Sequence, residues 1–164
     1  MGINSVFNHF DYSNYQKSSS SNENAKLAEY AKQFQGYNES DGSANIFLGG
    51  GSSSATPWCA AFVEYCVENC GDSDIADWYE DVGNKWYCPD IYAAAEEAGA
   101  IVDAQEAQIG DLVLFDWEGD GVQDHIGIFL GYDDDGNMLT MEGNTNGGEA
   151  KIQKRSLDNA TFCS

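Results

Sequence analysis

The most informative segment of this chain is Thr56-Pro57-Trp58-Cys59-Ala60-Ala61-Phe62-Val63. Threonine is a good N-cap, and proline suits the first helical position because its missing N–H would have no partner there. The pattern predicts a helix over 57–70 that ends at Gly71. Cys59 falls in its first turn, where free backbone N–H groups and the helix dipole stabilise a thiolate. The segment therefore indicates a nucleophilic cysteine, which needs a base elsewhere.

Length and charge limit the classes of function. The chain has 164 residues, which suits one domain with a proper core, and a net charge of −21 from 28 acids and 7 bases. Such a charge weighs against nucleic acid or an anionic membrane as partner, because both are bound through lysine and arginine clusters. No apolar run is long enough to span a membrane, so no membrane insertion is expected. The start, Met1-Gly2-Ile3-Asn4, lacks the features of a signal peptide.

The five cysteines are an odd number and contain no C-x-x-C pair, so neither a zinc ribbon nor a complete disulfide framework is indicated. Cys66 and Cys70 share the predicted helix with Cys59 and are most simply small core residues. Whether Cys88 and Cys163 form a bridge stays open at this point.

The order of the predicted elements indicates the fold class. Residues 1–21 are expected to be a tail or linker, and 22–164 a single catalytic domain. Helices are predicted first and strands after them, which predicts an α+β domain. The predicted helices cover about 24–35 (capped by Asn22), 57–70 and 90–98, and the predicted strands cover 112–115, 124–132, 137–144 and 151–157.

The base is sought among two histidines, because the chain has no others. His9 lies in the predicted tail and is interpreted as a surface residue. His125 begins the strand Asp124-His125-Ile126-Gly127-Ile128-Phe129-Leu130. His125 is therefore the candidate base.

The hairpin that follows this strand predicts partners for His125. Its turn signal is Asp133-Asp134-Asp135-Gly136. If Tyr132 pairs with Asn137, His125 lies opposite Asn144. Side chains alternate with period two, so His125, Glu142 and Asn144 then share one face of the sheet. A slip of one residue would send the set to the other face.

These residues have natural roles in acyl transfer. Gly127 would lie opposite Glu142 and has no side chain, which leaves room for Glu142 to lean towards the imidazole. Cys59 attacks a carbonyl carbon as a thiolate, and His125 takes its proton and later protonates the leaving amine. Glu142 or Asn144 fixes the tautomer of the ring, and Asn144 has the alternative role of donating to the oxyanion.

A family resemblance rests on four segments: Pro57–Val63, Gly110–Trp117, Asp124–Ile128 and Met141–Thr145. Their order and spacing cover most of residues 36–146. Together they resemble the CHAP family, the cysteine, histidine-dependent amidohydrolases and peptidases. The resemblance implies a papain-like α+β fold, with N-terminal helices packed on an antiparallel β-sheet. By position, it also implies Cys59 as nucleophile, His125 as base, Glu142 as third member and Asn144 as a supporting polar group.

The resemblance also implies a substrate, bacterial peptidoglycan. The expected activity is amide cleavage by an N-acetylmuramoyl-L-alanine amidase or a peptide endopeptidase. The alternatives are an inactive module that binds wall peptides or a partner protein, and a transamidase that uses the same thioester. The segment Ala107-Gln108-Ile109 departs from relatives that have prolines there. Residues 1–21 and those after about 147 match no motif, and no wall-binding module is visible.

The expected context is a bacteriolytic enzyme made in the cytoplasm that reaches the wall after release or export, as a phage lysin (endolysin) or a secreted effector does. A monomer is expected. An immunity protein or a separate wall-binding module are the partners left open.

An acidic loop precedes the candidate base. Its acids occupy positions 1, 3, 5 and 9 of an EF-hand-like loop, with a glycine at position 6. The twelfth position is Gly127, so the bidentate glutamate is missing. The chemistry requires no cofactor, and the hypothesis is that calcium orders the strand that carries His125. The candidate ligands are Asp116, Glu118, Asp120 and Asp124.

Overall fold

The computed structural model describes residues 25–71 and 73–164. The predicted tail 1–21, with His9, and the predicted cap Asn22 lie outside these residues. The α-helices are α1 (Ala25–Lys32), α2 (Cys59–Asn69), α3 (Ile75–Tyr79) and α4 (Cys88–Glu97), and short 3-10 helices cover Ser43–Leu48 and Ala104–Glu106. The strands are β1 (Ile101–Val102), β2 (Leu112–Phe115), β3 (His125–Tyr132), β4 (Met138–Thr145), β5 (Glu149–Arg155) and β6 (Ala160–Cys163).

The strands form one antiparallel sheet in the order β1-β6-β2-β3-β4-β5. The helices precede it along the chain, which confirms the predicted α+β class. The main core joins α1 and α2 to one face of β3 and β4, through residues such as Leu27, Phe62 and Met141. A smaller apolar cluster, with Phe115 and Phe129, covers the other face. In the described part of the chain, no helix has the length and apolarity needed to cross a membrane.

Helix α2 begins two residues later than predicted. Trp58 is its N-cap residue and makes no side-chain capping bond, so Thr56 is not the cap and Pro57 is not the first helical residue. The indole of Trp58 is fully buried, stacks on Phe47 at 5.6 Å and donates a hydrogen bond to Glu39. This packing holds the backbone ahead of the helix in a non-helical conformation. Cys59 still lies in the first turn, as predicted.

Several other boundaries differ from the predictions. Helix α1 is shorter than 24–35, and α4 starts two residues before 90. Helix α3, β1 and β6 were not predicted, because these short elements have no clear periodicity of their own and depend on tertiary contacts. The buried Trp78 and Tyr79 of α3 belong to the core, whereas Trp86 and Tyr87 are exposed.

The β3–β4 hairpin has the predicted alignment beyond its bulge, but the pairing next to the turn differs from the prediction. Tyr132 pairs with Met138, not with Asn137, because the Asp133 carboxylate accepts the N–H groups of Asp135 and Asn137 and holds both residues in the turn. A bulge between Phe129 and Gly131 then shifts the pairing by one residue. Beyond the bulge, Phe129 pairs with Thr140 and Ile128 with Met141, as predicted. Without the bulge, Glu142 would face away from His125.

Candidate active site

Helix α2 lies directly against β4, and a glycine makes this contact possible. A Cβ atom on Gly143 would lie 2.5 Å from Cβ of Phe62 and 3.0 Å from Cζ3 of Trp58. Real Cβ atoms essentially never approach other atoms so closely, so only glycine fits at this position. The close approach brings the first turn of α2, with Cys59, to the sheet that carries the candidate base.

His125 and Glu142 form a buried pair across the hairpin. Nε2 of His125 lies 2.8 Å from Oε1 of Glu142, and both residues are almost fully buried. A Cβ atom on Gly127 would lie 2.9 Å from Cγ of Glu142, so the carboxylate occupies the space that glycine leaves free. The predicted approach of Glu142 to the imidazole is therefore confirmed as geometry. The catalytic roles of both residues stay predictions.

The pKa shifts of Cys59 and His125 are those expected of a thiolate–imidazolium pair. Hydrogen bonds from the Cys88 thiol and then from His125 outweigh burial and lower the pKa of Cys59 to about 5, with a further contribution from the Ala60 N–H. Burial opposes a charge on His125, but Cys59 and Glu142 raise the pKa of the imidazole to about 9. Because Nε2 of His125 is engaged by Glu142, Nδ1 is the nitrogen left for the sulfur. Between these two pKa values the thiolate form of Cys59 is favoured, which is the form in which a cysteine reacts as a nucleophile. Its catalytic role stays a prediction.

Cys88 is a neighbour of Cys59, and sequence reasoning missed it. All five cysteines are free, so no bridge joins Cys88 to Cys163. Cys88 is buried at the start of α4, and the hydrogen bond to Cys59, followed by burial, raises its pKa. It therefore stays a protonated donor beside the thiolate. Nothing in the sequence signals this contact, because the two cysteines lie on different helices and only the tertiary structure brings them together.

Glu142 is held by more groups than His125 alone. The hydroxyl of Thr140 donates to Oε2 at 2.5 Å. Arg155 donates from Nε to Oε2 at 2.9 Å and from Nη2 to Oε1 at 2.6 Å. Burial works against the charge, but the bonds from Arg155 and then from His125 lower the pKa of Glu142 to about 2. Sequence reasoning missed Arg155 because this residue lies on β5. Only the register of β5 against β4 brings its side chain to Glu142.

Trp117 covers the exposed side of the candidate base. Its ring stacks on His125 at 4.9 Å with an interplanar angle of 22° and also on Phe115 at 5.7 Å. The indole is 50% exposed, so it lies between the buried imidazole and solvent. An aromatic ring in this position limits rotation of the imidazole and keeps water from its hydrogen bond to Glu142.

Asn144 does not form the predicted pair. The β3–β4 ladder ends at Ile128–Met141, and the β4–β5 ladder is interrupted between Glu142 and Thr145. Asn144 has a left-handed φ of 51°, which breaks the alternation of side chains along the strand. Within residues 25–71 and 73–164, its side chain makes no hydrogen bond to His125 or Glu142. Its supporting role stays a prediction.

The acidic loop does not bring the four predicted calcium ligands together. The Asp116 carboxylate accepts the N–H groups of Gly119, Asp120 and Gly121, and Asp124 accepts that of Trp117. The loop is thus closed by its own hydrogen bonds. Among the residues that the structure describes, no group of three or more His, Cys, Asp or Glu side chains is arranged to hold a metal. The carboxylates therefore do not fit calcium as placed, and its binding stays a hypothesis.

Residues 51–144 match a family model described as the CHAP domain. The matched segment covers more than half of the chain and includes Cys59, His125, Glu142 and Asn144. Arg155 lies beyond its end. No curated protein and no solved structure matches this chain.

Proposed function

The chain belongs to the CHAP domain family, and from this premise we propose that it hydrolyses amide bonds of peptidoglycan with Cys59 as nucleophile. Members of the family are typically hydrolases that act on peptidoglycan. The observation that carries the proposal is the buried His125–Glu142 pair, on the sheet against which the first turn of α2, with Cys59, is packed. The lowered pKa of Cys59 and the raised pKa of His125 support it. The two reactions that we propose are N-acetylmuramoyl-L-alanine amidase and peptide endopeptidase.

In the first half of the reaction, the sulfur of Cys59 attacks the carbonyl carbon of the scissile amide. The negative charge that develops on the carbonyl oxygen needs donors, and the free N–H of Cys59 in the first helical turn is well placed to provide one. Asn144 is the second candidate donor. His125 then gives its proton to the leaving nitrogen, the C–N bond breaks, and a thioester remains on Cys59.

In the second half, water replaces the leaving amine. Neutral His125 takes a proton from this water, whose oxygen attacks the thioester carbonyl. Collapse of the intermediate expels the Cys59 thiolate and releases a carboxylic acid. His125 is again protonated, which restores the starting ion pair. Glu142 keeps Nε2 occupied throughout, so that Nδ1 makes both proton transfers.

Three exposed aromatic side chains are candidate contacts for a wall fragment. Trp86 and Tyr87 directly precede Cys88 and are 44% and 51% exposed. Trp117 covers His125. Rigid aromatic faces bind sugar rings and peptide side chains at little entropic cost. We propose that these three residues contact the substrate.

The test is digestion of purified bacterial walls by the full chain, followed by turbidity and by mass spectrometry of the products. Cys59→Ala and His125→Ala are expected to abolish lysis. Cys70→Ala is the matched control, because it removes a thiol just after the other end of α2. A new N-terminal alanine with a free muramic acid carboxyl would identify an amidase, and a new amino group inside the stem or cross-bridge would identify an endopeptidase.

Two outcomes would favour the other functions. If the wild type and Cys59→Ala both bind walls and neither releases products, the chain is a binding module and not an enzyme. Transfer of the acyl group to an added amine, in place of water, would indicate a transamidase. The same thioester precedes hydrolysis and transfer, so the acceptor decides between these two reactions.

A further inference from the structure

The buried carboxylate of Glu142 needs a fixed orientation to serve His125. A lone carboxylate with no exposure is costly, and its two oxygens are free to exchange unless other groups hold them. His125 contacts Oε1 alone, and Thr140 contacts Oε2 alone. These single bonds leave rotation of the carboxylate plane weakly restrained.

Arg155 supplies the missing restraint. Its Nη2 donates to Oε1, the oxygen that faces His125, and its Nε donates to Oε2, the oxygen that faces Thr140. A planar guanidinium that binds both oxygens fixes the plane of the carboxylate, which a single donor does not. Nη2 also donates to the hydroxyl of Thr145 at 3.2 Å, which holds the guanidinium itself.

Arg155 reaches the base by a second route. Its Cζ atom lies 5.2 Å from the centre of the Trp117 ring, within the range of a cation–π contact. The same ring stacks on His125 at 4.9 Å. The guanidinium of Arg155 thus contacts Glu142, which bonds to the buried edge of the His125 imidazole, and Trp117, which stacks on the face of that ring.

We propose that Arg155 is a positioning residue for the reaction, which holds Glu142 and Trp117 in the orientation that directs Nδ1 of His125 at Cys59. The proposal rests on the proposed function, since it concerns the same site. The residues that match the family model end at position 144, so that match assigns no role to Arg155. Arg155 contacts none of the reacting atoms and acts through Glu142 and Trp117.

The test compares Arg155→Met and Arg155→Lys with a matched control, Lys154→Met. Lys154 is the adjacent residue on β5 and carries the same charge, but it pairs with Asp133 at 3.1 Å and not with Glu142. On a soluble muropeptide, Arg155→Met is expected to lower kcat by about tenfold to a hundredfold, the usual effect of losing an orienting partner. KM should change much less, because Trp117 keeps its stacking on Phe115 and His125. Lysine at position 155 should restore part of kcat, and Lys154→Met should behave like the wild type.

A spectroscopic readout separates positioning from folding. The Nε2 proton of His125, held against Glu142, should give a strongly downfield NMR signal that exchanges slowly with water. We expect this signal in the wild type, Arg155→Lys and Lys154→Met, and its loss in Arg155→Met. If no wall substrate is cleaved by the wild type, the proposed function fails, while this signal still decides the role of Arg155.

A double-mutant cycle with Glu142→Gln completes the test. If Arg155 acts through the carboxylate, Arg155→Met should lower kcat little further once Glu142 is already glutamine. This pair also serves if Arg155→Met alone does not fold, because the neutral glutamine removes the unpaired buried charge. Three results would each overturn the proposal. The first is a wild-type kcat with an intact Nε2 signal in Arg155→Met, and the second is an effect of Arg155→Met on KM alone. The third is full additivity of the effects of Arg155→Met and Glu142→Gln on kcat.

Discussion

The carboxylate of Glu142 meets the imidazole of His125 with Oε1 2.8 Å from Nε2, across the space that a side chain on Gly127 would fill. His125 and Glu142 are on neighbouring strands, and the bulge in β3 sets them on the same face of the sheet. A glycine and a bulge, neither of which is a reactive group, therefore determine whether the base has an orienting acid.

Gly127→Ala is expected to push Glu142 away from His125. The added Cβ would lie 2.9 Å from Cγ of Glu142, and this flexible side chain moves more easily than the backbone. We expect kcat to fall by about tenfold or more, as for loss of an orienting partner. Kinetics on a soluble muropeptide, well below the melting temperature, measure the effect. Because the loss acts through the carboxylate, adding Gly127→Ala to Glu142→Gln should change little, and a large additional loss would contradict this account.

Gly143→Ala is expected to destabilise the fold more than Gly127→Ala. The new Cβ would lie 2.5 Å from Cβ of Phe62, which moves only if helix α2 moves. Overpacking costs about 1–3 kcal/mol, and a chain of this size loses roughly 2–4 °C per kcal/mol. Calorimetry should therefore show the melting temperature fall by roughly 2–12 °C. A melting temperature equal to that of Gly127→Ala would show that α2 adjusts without cost.

Cys88→Ala is expected to make Cys59 less acidic. The hydrogen bond from Cys88 is the largest cause of the lowered pKa of Cys59. A hydrogen bond to a charged group contributes about 1.5–3 kcal/mol, which corresponds to roughly one to two pH units. Iodoacetamide alkylation measured against pH should shift upwards by that amount. Cys88→Ser keeps a donor and should shift less, Cys163→Ala is the control, and an unmoved curve in Cys88→Ala would refute the contact.

The pH dependence of kcat/KM should be bell-shaped. Below about pH 5, Cys59 takes up a proton and the nucleophile is lost. Above about pH 9, His125 loses the proton that the leaving amine needs. Because Glu142 raises the pKa of His125, Glu142→Gln should move the alkaline limb to lower pH. If kcat/KM instead rises only near pH 8 to 9, Cys59 is a neutral thiol at lower pH and forms no ion pair with His125.

Chelation tests the acidic loop. Because the carboxylate of Asp116 already accepts three backbone N–H groups, we expect EDTA to leave the melting temperature unchanged. Asp116→Ala should lower it by a few degrees, since the substitution removes the acceptor of the three N–H groups that close the loop. A higher melting temperature on addition of calcium, reversed by EDTA and absent in Asp116→Ala, would instead support the calcium hypothesis.

The hairpin shows why the sequence predicted part of the site correctly. The turn signal at 133–136 and the period of two placed His125 and Glu142 together. The pairing assumed at Tyr132 was wrong by one residue, and the bulge before Gly131 compensated for it. Bulges depend on packing on both faces of a sheet, so no local pattern predicted this one.

Local chemistry was enough to propose a nucleophile, a base and an acid, because helix starts, strand periods and turns are properties of neighbouring residues. Cys59 in a first helical turn and His125 at a strand start are of this kind. The contacts of Cys88 and Arg155 are not local, since each residue reaches the site from another element. The packing of α4 decides the contact of Cys88 with Cys59, and the register of β5 decides that of Arg155 with Glu142. The sequence alone thus determined which groups are the candidates for the chemistry. The tertiary structure decided which groups hold them in place, because those contacts join residues far apart in the chain.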